Sequence, residues 1–346
     1  MPKNQSTTKQ GTTMQGIASK QGAAKQGTTI ELSNLSKHFG KLRAVDGISL
    51  KVKEGEVFAL LGPNGAGKTT TISMLCGLLA PTSGKAMVAG FDAHTEPLKV
   101  RQAIGVVFQA PSVDDLLSGR ENLEMHALLY GVPANGRKER INDMLSLVGL
   151  TDRQHSPVKE YSGGMRKRLE LARGILHEPK ILFLDEPTVG LDPQTRQHIW
   201  EYIQKLSKRE GTTVVFTTHY LEEAEQFADR VAIIDRGKIV AVGTPHELVE
   251  SLGGDVAVLK SPEPKKIASA LRKLKFASAI AQTEGGVQVS IRHSHENLPK
   301  LFAACKGITS IEIHPATLND VFIKFTGREI RADSAEGGFW ERMMKK

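Results

Sequence analysis

Cysteine is scarce in this chain of 346 residues: Cys76 and Cys305 stand alone, far apart and without ligand-like spacing. That scarcity argues against a disulfide framework and fits a reducing compartment. Long apolar runs are missing too, since no stretch approaches the roughly 20 residues that span a bilayer. The N-terminus is rich in Gln, Thr, Gly and Lys, which excludes a secretory signal. These absences predict a cytoplasmic chain with no membrane span of its own, whose membrane association comes through a partner. Acidic residues are absent from the first 29 positions, where Lys3, Lys9, Lys20 and Lys25 stand unopposed, and the formal net charge is +8. Such a balance is compatible with nucleic acid, with an anionic membrane surface, or with a basic tail that serves solubility alone.

What is present suits a globular protein. Hydrophobic residues make up 40% and charged residues 24%, enough for one large domain and a smaller one. Residues 1–28 form a low-complexity segment in which Lys-Gln-Gly recurs at 9–11, 20–22 and 25–27. Its apolar content is too low to offset ordering entropy, so a disordered tail is expected there.

The most specific motif is Gly62-Pro63-Asn64-Gly65-Ala66-Gly67-Lys68-Thr69, which fits the phosphate-binding pattern G-x-x-x-x-G-K-[ST]. The glycines let consecutive backbone N–H groups converge on an anion. Lys68 offers charge to the outer phosphates, and Thr69 offers a hydroxyl to Mg²⁺. Val57–Leu61 reads as a buried strand before it, and the segment from Thr70 to Leu79 as a helix whose N-terminus faces the phosphates. The loop implies a nucleotide without saying what is done with it.

A second strand, Ile181–Leu184, delivers Asp185 and Glu186 at its C-terminal end, where open α/β sheets bind ligands. Asp185 is expected in the Mg²⁺ shell, and Glu186 beside the terminal phosphate, orienting water. Between the two motifs lies a helical stretch, about 115–178. Within it Tyr161-Ser162-Gly163-Gly164-Met165 opens a helix. A serine and two glycines at that place make either a second phosphate-binding feature or a plain serine cap. Strands near 181–184, 213–217 and 231–234 alternate with helices, which predicts a parallel sheet. Residues 255–326 read strand, helix, strand, strand, helix, strand, a ferredoxin-like order. Residues 328–346 read as a polar tail carrying Phe339 and Trp340.

Taken together these motifs resemble the ATP-binding cassette (ABC) ATPases over about residues 30–247. Six motifs occur in family order. Tyr161–Met165 stands for the signature Leu-Ser-Gly-Gly-Gln, with Tyr and Met replacing Leu and Gln. Gln109 takes the place of the Q-loop glutamine. Pro187–Asp192 matches the D-loop, and Thr217-Thr218-His219-Tyr220 supplies the switch histidine. Phe39 stands where the family stacks a tyrosine on adenine. The resemblance implies an α/β phosphate-loop NTPase core over 29–250, with an antiparallel β subdomain and an inserted helical subdomain. A small α+β, ferredoxin-like domain follows over 251–327.

It also implies ATP and Mg²⁺ as ligands, sandwiched head to tail between two copies of the chain. Gly62 to Thr70 and Phe39 of one copy, with Ser162, Gly163 and Gly164 of the other, would hold the nucleotide. Thr69, Gln109 and Asp185 would hold the metal. Glu186 is then the general base, with His219 and Gln109 at the γ-phosphate and Asp192 at the dimer seam. Gly119–Leu123, Thr218–Ala224 and Ala316–Phe322 are similar to the daunorubicin-resistance subfamily, separate ATPase subunits of exporters. Their partner is a multi-spanning permease, which places the chain on the inner face of the cell membrane.

A guanine-reading Asn-Lys-x-Asp is absent, which disfavours a GTPase. A single cassette without zinc-ligand cysteines disfavours a ribosome- or DNA-acting protein, so no nucleic acid is expected. Arg166-Lys167-Arg168 reads as an exposed helix face, and His293 and His295 as neighbours on one face of a solvated strand.

Overall fold

A computed structural model describes residues 27–110, 112–283 and 286–327. The expected tails at 1–26 and 328–346 fall outside the described residues.

The described residues begin with two long strands, β1 (Thr28–Phe39) and β2 (Leu42–Lys53), joined by a tight turn at Gly40. A short buried strand, β3 (Val57–Leu61), leads through the phosphate loop into α1 (Lys68–Leu75). Next come β4 (Ser83–Val88), β5 (Phe91–Asp92), α2 (Pro97–Ala103) and β6 (Ile104–Val107). The helical insert contains α3 (Gly119–Leu129), α4 (Ala134–Leu147) and α5 (Gly163–Ile175). The core resumes with β7 (Ile181–Asp185), α6 (Pro193–Glu210), β8 (Thr213–Thr218), α7 (Leu221–Phe227), β9 (Arg230–Asp235), β10 (Lys238–Gly243) and α8 (Pro245–Glu250). The C-terminal unit is β11 (Asp255–Lys260), α9 (Pro264–Leu271), β12 (Ala277–Thr283), β13 (Gly286–Ile291), α10 (Ser294–Ala304), β14 (Ser310–His314) and α11 (Leu318–Thr326).

These elements make three sheets. One is antiparallel, ordered β2-β1-β4-β5. The central sheet runs β10-β9-β3-β8-β7-β6, parallel from β9 to β6 with an antiparallel edge at β10. Every residue of β3, β7 and β8 is buried. Strands covered on both faces read as continuous apolar runs, and that is why the sequence displayed them so clearly. The third sheet, β12-β13-β11-β14, is wholly antiparallel. With α9 and α10 it forms the ferredoxin-like arrangement expected from the element order.

Helix α11 has no counterpart in the sequence expectation. Its N-terminus carries a capping box in which Thr317 and Asp320 satisfy each other's backbone. Leu318, Val321 and Phe322 of α11 join Leu248, Leu252 and Val256 in the apolar core that also holds Ala224 of α7. Helix α11 therefore ties the C-terminal unit to the cassette. The two histidines are also placed differently from expectation. His293 is not on a strand; it adopts a left-handed backbone (φ 45°) just before α10, and His295 sits in that helix's first turn. β13 ends at Ile291, so the period-2 pattern stops before either histidine.

An aromatic stack joins the insert to the core. The Tyr130 ring lies 4.4 Å from His126 and 4.1 Å from His177, whose Nε2 contacts the Ile104 carbonyl at 3.0 Å. Burial pushes the His126 pKa down to about 3, with the Arg173 and His177 charges adding to the effect. A histidine held neutral in the fold but free to protonate when unfolded lowers stability as pH falls. No stability is lost to this group above its ordinary value of 6.5, and the loss grows between 6.5 and about 3. His126→Leu should therefore weaken the acid dependence of the melting temperature between about pH 6.5 and about pH 4.5. Parallel slopes for the two proteins would contradict this assignment.

Candidate nucleotide site

The parallel sheet brings the motifs together. Leu61 pairs with Thr218, Asp185 with Thr217, and Val107 with Leu184. The C-terminal ends of β3, β8, β7 and β6 thus share one edge of the sheet. The phosphate loop, His219, the acidic pair and Gln109 all follow from that edge.

The loop is held by contacts that only glycine permits. A Cβ at Gly62 would lie 2.2 Å from the Ile234 carbonyl oxygen. Gly67 has φ +107°, and a Cβ there would lie 2.4 Å from the Ala44 carbonyl oxygen. Gly67 is the N-cap of α1, so the first N–H groups of that helix lack intrahelical partners and face the loop's concavity. Lys68 is 5% exposed. Its Nζ donates to the carbonyls of Gly62 at 2.7 Å and Pro63 at 3.2 Å.

Lys68 Nζ also pairs with Glu186 Oε1 at 2.9 Å, and His219 Nδ1 meets Glu186 Oε2 at 2.5 Å. Burial alone would raise the Glu186 pKa. The His219 hydrogen bond and the Lys68 charge outweigh it and hold the carboxyl below its ordinary value. Glu186 is thus an ionised acceptor at neutral pH. Its backbone is left-handed (φ 52°), a conformation that costs a non-glycine residue roughly 1–3 kcal/mol. The Glu186 N–H is fixed by Thr217, at 3.0 Å to its Oγ1 and 3.2 Å to its carbonyl.

Asp185 behaves in the opposite way. Burial raises its pKa, opposed by the hydroxyls of Thr217 and Thr69. Thr217 Oγ1 donates to Oδ1 at 2.5 Å, while Oδ2 is buried with no hydrogen-bond partner. A buried carboxylate oxygen left open beside a threonine hydroxyl suits a hard cation with oxygen ligands. Thr217 is a site residue that the sequence reading named only within a motif, without this role.

Ser162 caps α5 by accepting from the Met165 N–H at 3.2 Å. Gly163 is exposed, and a Cβ built there meets nothing within 4 Å. Asp192 is exposed and caps α6 through the Thr195 N–H at 2.9 Å. Gln109 is exposed two residues beyond β6. Phe39 ends β1, half-buried, with Lys37 Nζ 5.2 Å from its ring centroid. The described contacts unite Lys68, Glu186 and His219, and separately Asp185, Thr217 and Thr69. They join neither Gln109 nor Ser162 to those groups.

Two features were not foreseen. Buried Glu223 of α7 accepts from Thr188 Oγ1 and, at 2.8 Å, from Thr218 Oγ1, tying the segment after Glu186 to the end of β8. The Arg166-Lys167-Arg168 run is not an exposed face. Arg166 pairs with Asp115 at 2.7 Å, Lys167 is buried, and Arg168 donates to the Val148 carbonyl at 2.8 Å. Acceptors remote in sequence draw each cation inward, and local charge pattern cannot register them.

A family model described as ABC transporter matches residues 45–189. The linearmycin resistance ATP-binding protein LnrL of Bacillus subtilis is 37% identical, over 87% of this chain and 99% of its own length. The daunorubicin/doxorubicin resistance ATP-binding protein DrrA of Streptomyces peucetius is 40% identical, over 89% of this chain and 95% of its own. Among solved structures, a dimeric post-hydrolysis state of an ATP-binding cassette bound to ADP and Pi superposes with a TM-score of 0.58 at 28% identity. It covers 62% of this chain and 98% of that one. Phosphate loop, acidic strand end and switch histidine are shared across one sheet edge, and the chain belongs to the ABC transporter family, as an ATP-binding and ATP-hydrolysing subunit.

Proposed function

We propose that the chain powers an exporter, pairing with a second copy of itself and with a separate multi-spanning permease at the inner face of the cell membrane. The observation that carries this reading is the second cradle. Ser162, Gly163 and Gly164 open a helix whose N-terminus meets open space at Gly163. A chain with a complete phosphate loop has no need of another, unless the second one serves the nucleotide of a second copy. ATP bridging two copies then stabilises their closed pair, and hydrolysis releases it. Among the described residues no helix is long and apolar enough to cross a membrane, so the channel would belong to another chain. Leu116, Leu128 and Leu129 are exposed on the helical insert and suit contact with that partner. Relatives named for linearmycin resistance, daunorubicin/doxorubicin resistance and Nod factor export favour outward transport.

Each residue has a part in this reading. Glu186 takes the proton of the attacking water, Lys68 and His219 address the γ-phosphate, and Phe39 offers a ring face to adenine. Thr69, Asp185 and Gln109 would hold Mg²⁺. When bound, the metal neutralises charge on the phosphate oxygens. The cassette would span 29–250 and the accessory domain 251–327. Co-purification from the native membrane tests the proposal. A multi-spanning protein should be recovered with the chain, and recovery with ribosomes or nucleic acid instead would overturn it.

A further inference from the structure

Between α3 and α4 the helical insert holds an open cavity of about 680 Å³, whose lining shares no residue with the nucleotide site. Buried Ile141 gives it an apolar floor, and Leu128 forms part of its wall. Arg120, Arg137, Lys138 and His155 line it against a single acid, Glu124. Glu124 is already matched, 3.7 Å from Arg120 Nη1. Arg120 also donates through Nε to Gln154 Oε1 at 2.8 Å and through Nη2 to Asn142 Oδ1. Arg137 donates to the Val132 carbonyl from Nε at 3.0 Å and Nη2 at 2.5 Å, a neutral acceptor that leaves its charge uncompensated. Lys138 is exposed and has no ion pair or hydrogen bond among the described residues.

Local structure does not call for these two charges. Helix α4 is broken at Asn135 (ψ 121°) and Gly136 (φ 83°), so its regular turns begin at Arg137. Cations in a first turn oppose the helix dipole, and the helix gains nothing from them. An anion from outside the chain would. Beside the cavity, Met125, Leu128 and Leu129 are 41%, 62% and 75% exposed. Their spacing of three and four residues sets them together on one face of α3. A cationic wall therefore adjoins an exposed apolar face. A free phosphate compound would use the charges and leave the leucines in water. A phospholipid uses both, with its phosphate at the cations and its acyl end over the leucines.

We propose that this cavity is a headgroup site for an anionic phospholipid, with the phosphate at Arg137 and Lys138 and the glycerol end against Leu128. The inference rests on the place at the membrane proposed above. A lipid held there would lie beside the leucines offered to the permease, at the seam between the two chains and the bilayer.

Purified full-length protein, sedimented with vesicles and with no permease present, tests this. Vesicles of phosphatidylcholine containing phosphatidylglycerol should take up the chain, and vesicles of phosphatidylcholine alone should not. Each basic side chain near an anionic surface is worth roughly fivefold in partitioning, so Arg137→Ala/Lys138→Ala is expected to lower uptake about 20-fold. Lys273→Ala/Lys275→Ala removes the same charge from an exposed segment of the C-terminal unit and should change uptake little. Leu128→Ser should lower it about tenfold through lost apolar contact. Basal ATP turnover reports that each variant is folded, and Lys138→Glu alone carries the test if the double variant is not. Equal losses in the two double variants would mean general charge attraction and overturn the proposal. Full competition by glycerol phosphate, the headgroup without its chains, would assign the cavity to a free phosphate compound and overturn the lipid. Undiminished vesicle uptake by Arg137→Ala/Lys138→Ala, with the permease no longer recovered, would make the cavity a protein site and overturn it as well. No uptake by any vesicle overturns this inference alone, because recovery of a permease judges the membrane reading separately.

Discussion

Glu186→Gln is expected to lower ATP turnover by roughly 10²–10⁴, about 3–5 kcal/mol in the barrier, with ATP binding retained. The geometry makes the substitution a clean one. Glutamine has the shape of glutamate, so the left-handed backbone and its Thr217 contacts are preserved. What is lost is the ionised acceptor that His219 and Lys68 keep below its ordinary pKa. A neutral amide cannot take a proton from water. On the reading proposed above, binding would rest on the glycine loop, the α1 N-terminus and Lys68, none of which the change removes. Steady-state turnover measured alongside equilibrium nucleotide binding decides the matter, and a near-normal rate would sink the assignment of Glu186.

Gly163→Asp is expected to abolish most hydrolysis, by at least about 100-fold, while leaving the isolated chain as stable as before. Gly163 is the first residue of α5, exposed, and a Cβ built there meets nothing within 4 Å. An acidic residue in the first turn favours a helix by about 0.3–1 kcal/mol. The single chain gains slightly or is unaffected, and its own phosphate loop is untouched. In a head-to-tail pair the new carboxylate would face the partner's phosphates, and like charges in contact cost several kcal/mol. Melting temperature, monomer nucleotide binding and turnover together give the test. Normal turnover would mean that the α5 N-terminus does not close over a nucleotide. A fall in melting temperature would mean instead that Gly163 is needed for the fold.

The site was legible wherever a local pattern carries its own chemistry. Glycine spacing around Lys68 states a loop, and two acids closing an apolar run state a strand end. Other groups lacked such a pattern. Lys167 read as solvent-exposed because its neighbours are Arg166 and Arg168, yet its acceptor, the Phe108 carbonyl, is 59 positions away. His293 and His295 are two apart, which reads as one strand face, and that reading fails because the backbone turns left-handed at His293. Helix α11 did leave a local signal, Thr317 three residues before Asp320, but the partners that bury its apolar side lie in α7 and α8.

The sequence by itself determined the motifs: a phosphate-loop pattern, an acidic pair closing an apolar run, a serine and two glycines opening a helix and, through the family resemblance, His219. It did so because those motifs need particular residue types at short spacing. Tertiary structure decided which groups act together and in what ionisation state. Parallel strand register sets Asp185 beside Thr217 and Leu61 beside Thr218. Burial then divides two adjacent carboxyls, raising the Asp185 pKa while His219 and Lys68 keep that of Glu186 low. Desolvation and charge pairing depend on what surrounds a group in space, and neighbours in space are fixed only when the sheet closes.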